Sequence, residues 1–152
     1  MRAALGLGSN VGDRRAHLET ALRGLRARLE VLSVSRFLAT EPVGGPPQGE
    51  FLNAAALVET ELSPRALLDL ARALEEAAGR ERGARWGPRT LDIDLLLYGD
   101  DIVNDADLVV PHPHLHERRF VLEPLAEIAP DWIVPRLDRT VRELREDLHH
   151  RC

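Results

Sequence analysis

Arg80-Glu-Arg-Gly-Ala-Arg-Trp-Gly-Pro-Arg-Thr-Leu-Asp-Ile-Asp-Leu-Leu-Leu-Tyr98 is the stretch from which the rest of the chain is read. Arg80, Arg82, Arg85 and Arg89 crowd a segment interrupted by Gly83, Gly87 and Pro88. An apolar run follows, in which Ile93, Leu95 and Leu97 alternate with Asp92, Asp94 and Leu96. Alternation of this kind predicts a strand, and residues two apart on a strand share a face. Asp92 and Asp94 are therefore expected side by side where the strand begins. Carboxylates in a strand otherwise apolar enough to be buried are costly unless something offsets their charge. Guanidinium groups match phosphate oxygens, and paired carboxylates suit a hard cation such as Mg²⁺. The stretch reads as a site for a metal–polyphosphate complex. A structural ion-pair cluster is the alternative reading of the same residues.

Upstream of it, Ala3 to Gly8 predicts a short first strand ending in Gly6-Leu-Gly8-Ser9-Asn10. Val11 stands where a dinucleotide fingerprint needs its third glycine, so the glycines read either as a tight turn or as a ligand contact. Asp13 is a candidate cap for a helix whose buried stripe is Leu18, Leu22, Leu25 and Leu29. Val31 to Thr40 predicts a second strand. Glu41 to Glu50 holds three prolines and three glycines, Pro42, Pro46, Pro47, Gly44, Gly45 and Gly49, and predicts a long loop of the kind often used for binding. Phe51 to Thr60 predicts a third strand with Phe51, Asn53, Ala55 and Leu57 on one face. Asn53 needs hydrogen-bond partners there, from backbone or from a polar ligand edge.

Ser63-Pro64 is a cap followed by proline at the first helical position. Leu67, Leu70, Ala71, Leu74 and Ala78 form the expected stripe of that helix, with Gly79 at its end and Glu75 one residue off, as a surface carboxylate beside Arg72 or Arg80. After the strand Leu91 to Tyr98 comes an acidic, turn-like stretch, Gly99 to Asp107, and then Leu108 to Pro111 as a short edge strand. His112, His114 and His116 alternate and invite a transition-metal reading, which the intervening prolines and the lack of Cys or further His partners weaken. A third helix is expected from Arg118–Phe120 to about Ile128 and a short strand at Ile133-Val134. A terminal helix follows over Thr140 to Leu148. Strand, helix, strand, strand, helix, strand is the ferredoxin-like order. The expectation is an α+β fold, with an antiparallel sheet, both long helices on one face and a C-terminal helical extension.

The 152 residues suit one domain spanning 1–152. A net charge of -5 argues against a general nucleic-acid or membrane-surface binder. All 20 basic residues counted as Lys or Arg are arginine. Without lysine, P-loop chemistry and Schiff-base catalysis are excluded. The one cysteine, Cys152, builds neither a disulfide framework nor a zinc–cysteine cluster. Apolar runs fall short of a membrane span, and no signal-peptide pattern opens the chain, so a cytoplasmic protein is expected; a monomer is the expected form.

Several motifs in one order then fall into place: Leu7-Gly-Ser-Asn10, Thr40-x-Pro42, Phe51-Leu-Asn53-Ala-Ala, Arg85-Trp-Gly-Pro-Arg-Thr-Leu-Asp-Ile-Asp94, Val110-Pro-His112 and Arg118-x-Phe120. Together they resemble the 6-hydroxymethyl-7,8-dihydropterin pyrophosphokinases of folate synthesis, almost end to end. The resemblance implies a ferredoxin-like fold and transfer of diphosphate from ATP to the pterin hydroxymethyl group, with release of AMP. It implies that Asp92 and Asp94 bind two Mg²⁺ ions, that Arg80, Arg82 and Arg89 hold the phosphates, and that Arg80 and Arg89 lie nearest the transferred group. Glu75, Arg85, Trp86, Leu95, His112 and Arg118 fall at ATP-site positions. Phe51 and Phe120 would sandwich the pterin. Asn53 would read its edge, together with backbone groups around Thr40, Pro42 and Val43. The segment carrying Arg85 and Trp86 is expected to close once both ligands are bound. Phe51 occupies a position where tyrosine is common, and Asp107 stands near one where a basic residue occurs. Another Mg²⁺-dependent nucleotidyl- or phosphotransferase is the alternative; a nucleotidyltransferase would release pyrophosphate instead of AMP. A ferredoxin-like RNA-binding module would need basic and aromatic residues across its sheet, and this chain has six aromatics.

Overall fold

The structure, a computed structural model, describes residues 1–10, 12–40, 51–79 and 91–150. Its centre is β1 (Arg2–Ser9), an almost wholly buried strand. β1 is paired antiparallel on one side with β4 (Phe51–Glu59) and on the other with β5 (Asp92–Tyr98). β2 (Glu30–Val34) and β3 (Leu38–Thr40) both pair antiparallel with the far side of β4. The sheet order is therefore β2-β4-β1-β5, with β3 alongside β4. The antiparallel α+β arrangement expected from the sequence is observed.

The single second strand expected over Val31 to Thr40 is broken in two. Val34 faces Ala56 and Leu38 faces Asn53, so this side carries one residue more than its partner, as at a bulge. Ser35 fills the break: its N–H donates to Ala55 O (2.9 Å) and its Oγ accepts from Ala55 N–H (2.9 Å). A side chain thus replaces a ladder bond that the irregular backbone cannot make.

Helices α1 (Arg14–Arg26) and α2 (Pro64–Ala77) start at the caps read from the sequence. Asp13 Oδ1 accepts from Ala16 N–H and Ser63 Oγ from Ala66 N–H, each at 3.1 Å. Leu18, Leu22 and Leu25 of α1 and Leu67, Leu70 and Ala71 of α2 pack on Ala3, Leu5, Leu7, Ala54, Ala56, Val58, Ile93 and Leu95. Leu29 is buried as expected, but in the turn beyond α1. Gly24 lets the two helices close together, since a Cβ there would lie 2.5 Å from Leu74 Cδ2.

The other sheet face is covered too. α3 (Arg119–Ile128) and α4 (Val141–His150) bury Val121, Leu122, Leu125, Val141 and Leu144 against Ala4, Ala55, Leu96 and Leu97. The C-terminal extension is thus a third layer on the opposite face of the sheet from α1 and α2. A register shift between Ala4 and Leu5 of β1 leaves Leu96 as an extra residue in β5. Leu95 therefore faces the first core, Leu96 and Leu97 the second, and Tyr98 the first again.

Two expectations change in the connecting stretch. The acidic segment contains a strand, β6 (Val103–Asp105), which pairs with β7 (Leu108–Val110). β7 thus belongs to a separate hairpin and is not an edge of the main sheet. The predicted strand at Ile133-Val134 is present as β8 (Ile133–Val134) and pairs with β9 (Arg139–Thr140).

Candidate active site

α3 and α4 do not roof the whole of their sheet face. At its uncovered end, strand pairing aligns three residues across three strands. Gly8 of β1 faces Asn53 of β4 on one side and Asp92 of β5 on the other. Directly paired residues on neighbouring strands point to the same face, so Asn53, Gly8 and Asp92 form one row. Gly6, paired with Ala55 and Asp94, forms the next. Asp92 is half-buried and Asp94 exposed. The two carboxylates share a face, as the alternation predicted. Phe51 stands half-buried two residues before Asn53 on the same face.

The start of α3 adds an aromatic and a cation. Phe120 is half-buried at the margin of the second core. The Arg118 guanidinium lies 5.5 Å from its ring centroid, within cation–π range. Thr40 ends β3 with its backbone paired to Phe51, which puts that backbone beside the aromatic. Pro42, Val43, Arg80, Arg82, Arg85, Trp86 and Arg89 lie outside the described residues, and so does the expected closure of the arginine segment.

His112 enters from the far side of β5. The Val110–Pro111 peptide is cis, and the His112 N–H donates to Leu96 O at 3.0 Å. Its Nδ1 accepts from the His114 backbone N–H at 3.2 Å. An acceptor at Nδ1 fixes the ring proton on Nε2 in the neutral imidazole. Burial first, then the charges of Arg118 and His114, pushes its pKa down to about 4. His112 is therefore a neutral Nε2–H donor at ordinary pH.

The alternating histidines do not converge. His114 Nδ1 and His116 Nε2 both turn to Glu117, at 3.1 and 3.5 Å. Among the described residues no three His, Cys, Asp or Glu side chains form a metal-binding group. Two carboxylates on one face are nevertheless a donor set that fits Mg²⁺, which takes one or two carboxylates and completes its shell with water and substrate phosphates.

Glu75 corrects the sequence reading. It is buried, 7% exposed, beside a Leu74 that itself packs against the core, and is no surface carboxylate. Its Oε2 accepts from Ile93 N–H at 2.9 Å. β5 is the edge of the sheet, and this bond occupies an edge N–H between the two aspartates. Leu95 is also buried, in the core beneath α1 and α2, so only its backbone is placed to meet a ligand. Asp107 is committed to protein: both its oxygens accept from Arg65 Nη1, at 2.8 and 2.7 Å. Those bonds hold its carboxyl below the usual carboxylate range.

Comparison with known proteins gives the family. The family described as 7,8-dihydro-6-hydroxymethylpterin-pyrophosphokinase (HPPK) matches residues 4–130. A protein of Methylorubrum extorquens named 2-amino-4-hydroxy-6-hydroxymethyldihydropteridine pyrophosphokinase is 49% identical over 93% of this chain and 90% of its own length. A Bacillus subtilis protein of the same name is 46% identical over 83% of this chain and 77% of its own. Among solved structures, a Plasmodium falciparum HPPK-DHPS chain superposes with a TM-score of 0.81 at 17% identity. That match covers 99% of this chain and 46% of the longer one, and at this identity it speaks for the fold alone.

Proposed function

The chain belongs to the 7,8-dihydro-6-hydroxymethylpterin-pyrophosphokinase family, and we propose that it transfers diphosphate from ATP to 6-hydroxymethyl-7,8-dihydropterin, a step of folate synthesis. The observation that carries this reading is the row Asn53, Gly8, Asp92 across three adjacent strands. It sets Asn53 and Asp92 on one floor, about 10 Å apart at two strand spacings, which supports a polar reader of a flat heterocycle beside a metal-binding carboxylate.

The pterin lies between Phe51 and Phe120, with its amide-like edge on Asn53 and on the backbone around Thr40, Pro42 and Val43. Its hydroxymethyl arm then points along the row toward Asp92. The arm's oxygen bonds to the β-phosphorus of ATP, and the bond from that phosphorus to the α–β bridging oxygen breaks. AMP leaves with that oxygen, and the hydroxyl proton passes to solvent. Asp92 and Asp94 would hold Mg²⁺, for which we propose two ions. Bound there, Mg²⁺ would supply charge stabilisation to the attacking and leaving oxygens. His112 donates Nε2–H to a phosphate oxygen without adding a charge that varies with pH. Arg118 stays beside the Phe120 face, and Arg80, Arg82 and Arg89 are the proposed phosphate ligands, with Arg85 and Trp86 over the nucleotide. Glu75 acts on the site through the Ile93 amide, which steadies the strand bearing the aspartates. Leu95 contributes backbone. Positioning and electrostatics carry the chemistry, as in other phosphoryl transfers.

The order β2-β4-β1-β5 with antiparallel neighbours supports a ferredoxin-like topology within a single domain. A cytoplasmic monomer is the expected form; among the described residues no helix is long and apolar enough to cross a membrane. The deciding experiment incubates the protein with ATP, Mg²⁺ and the reduced pterin alcohol and identifies the products. AMP with the pterin diphosphate supports the reading. Release of pyrophosphate would point to a nucleotidyltransferase instead.

A further inference from the structure

We infer that Gly8 is a positioning residue for the acceptor, because its missing side chain is the space in which the Asn53 carboxamide leans over β1 toward the aspartates. The inference rests on the pterin-binding role proposed for Asn53. A Cβ built on Gly8 would lie 2.9 Å from Asn53 Oδ1 and 3.8 Å from Phe51 Cδ1. The first distance is closer than side-chain carbons tolerate, so the amide must move if Gly8 acquires a side chain. The clash falls on the Asn53 amide oxygen, one of the two ends with which a carboxamide can read a ligand edge.

Conformation does not explain the glycine. Among the described residues, the glycines with positive φ are Gly12, Gly79 and Gly99, so Gly8 has ordinary strand backbone. A glycine inside a strand costs stability and gives nothing to packing, and it often marks a close approach by a ligand or another group. Gly6 differs. A Cβ there meets Leu96 Cδ1 at 3.4 Å, an ordinary contact with a core side chain. Gly6 therefore belongs to the packed part of the face, and Gly8 to the part where Asn53 is set.

The consequence is selectivity at the acceptor. With Gly8, the Asn53 amide rests over the bare strand, at a fixed offset from Asp92 in the same row. Displacing it moves the recognised edge of the heterocycle relative to the phosphates and leaves the nucleotide site untouched.

The test is a double-mutant cycle on the full chain, read by calorimetric titration of the pterin alcohol in the presence of MgAMPPCP, and of MgATP alone. Gly8→Ala is expected to raise the pterin Kd about tenfold or more and leave the MgATP Kd within about twofold. Asn53→Ala is expected to raise the pterin Kd too. In the Asn53→Ala background, Gly8→Ala should add nothing further, since residues acting through one another are non-additive. A general packing defect would instead lower affinity for both ligands. That double variant has no clash, so it reports even if Gly8→Ala alone folds poorly. Independent, additive effects would overturn the inference, as would wild-type pterin affinity in Gly8→Ala beside a weakened Asn53→Ala. Wild-type affinity in Asn53→Ala would overturn the pterin reading itself and this inference with it.

Discussion

The two faces of the sheet use the same strands for opposite ends. Beneath α1 and α2, residues such as Leu5, Leu7, Val58 and Ile93 are 4% exposed or less, and the layer is closed. On the opposite face the apolar cover stops short of the strand ends. There the positions alternating with the buried apolar ones are Gly8, Asn53, Asp92 and Asp94. A period of two lets each strand carry a packing code and a chemical code at once. The closed layer holds the candidate site in register, as a positioned site requires.

The sharpest separation of the faces comes from the aspartates. Asp92→Ala or Asp94→Ala should lower turnover about 10³-fold, the several kcal/mol expected of charge stabilisation by a metal. The melting temperature should stay within a few degrees. Near-normal turnover in both variants would remove the metal pair from the mechanism. Leu5→Ala tests the closed face. It should cost about 2–5 kcal/mol of stability in a denaturant titration, with turnover per folded molecule little changed. A specific loss of turnover at unchanged stability would break the division of labour.

Smaller effects test the open face in detail. Phe51→Ala or Phe120→Ala should weaken pterin binding by about 1–3 kcal/mol, the range for stacking on a flat base. MgATP binding should change less, and the reverse pattern in calorimetry would misplace the pocket. The last prediction concerns His112, whose folded pKa, about 4, lies below the ordinary value of 6.5. Between those values the unfolded chain binds a proton there that the folded protein does not. The histidine's contribution to stability is therefore present above pH 6.5 and is lost as pH falls toward 4. His112→Gln should flatten that part of the stability–pH curve. The His112 ring signals in NMR should keep neutral shifts, with the proton on Nε2, down to near pH 4. Titration near 6.5 would disprove the buried tautomer.

Much of this was legible in the chain. Both helix caps, the order of the main elements and the shared face of Asp92 and Asp94 follow from local rules that tertiary packing left intact. The break at Ser35 was not legible, because a serine replacing a ladder bond looks like any strand serine. β6 was hidden by its composition: Asn104 and Asp105 are poor strand formers, held in place by pairing with β7. Glu75 was misread because a carboxylate one residue off an apolar stripe is expected to face water. Its partner, the Ile93 amide, becomes visible only when α2 packs beside the sheet edge. Gly8 was ambiguous for the same reason, since a glycine's purpose lies in what occupies its empty volume.

The central place of β1 also bears on how the molecule is made. Gly8 leaves the ribosome well before Asn53, and Asp92 follows later still. At about 5–20 residues per second the strand waits several seconds for its second neighbour. Its apolar sequence, Ala-Ala-Leu-Gly-Leu from Ala3 to Leu7, has at least one edge unpaired throughout that interval, the condition in which strands associate with the wrong chain. The floor of the candidate site is thus completed last, and a nascent chain halted before β5 would hold its Asn53 side without the aspartates.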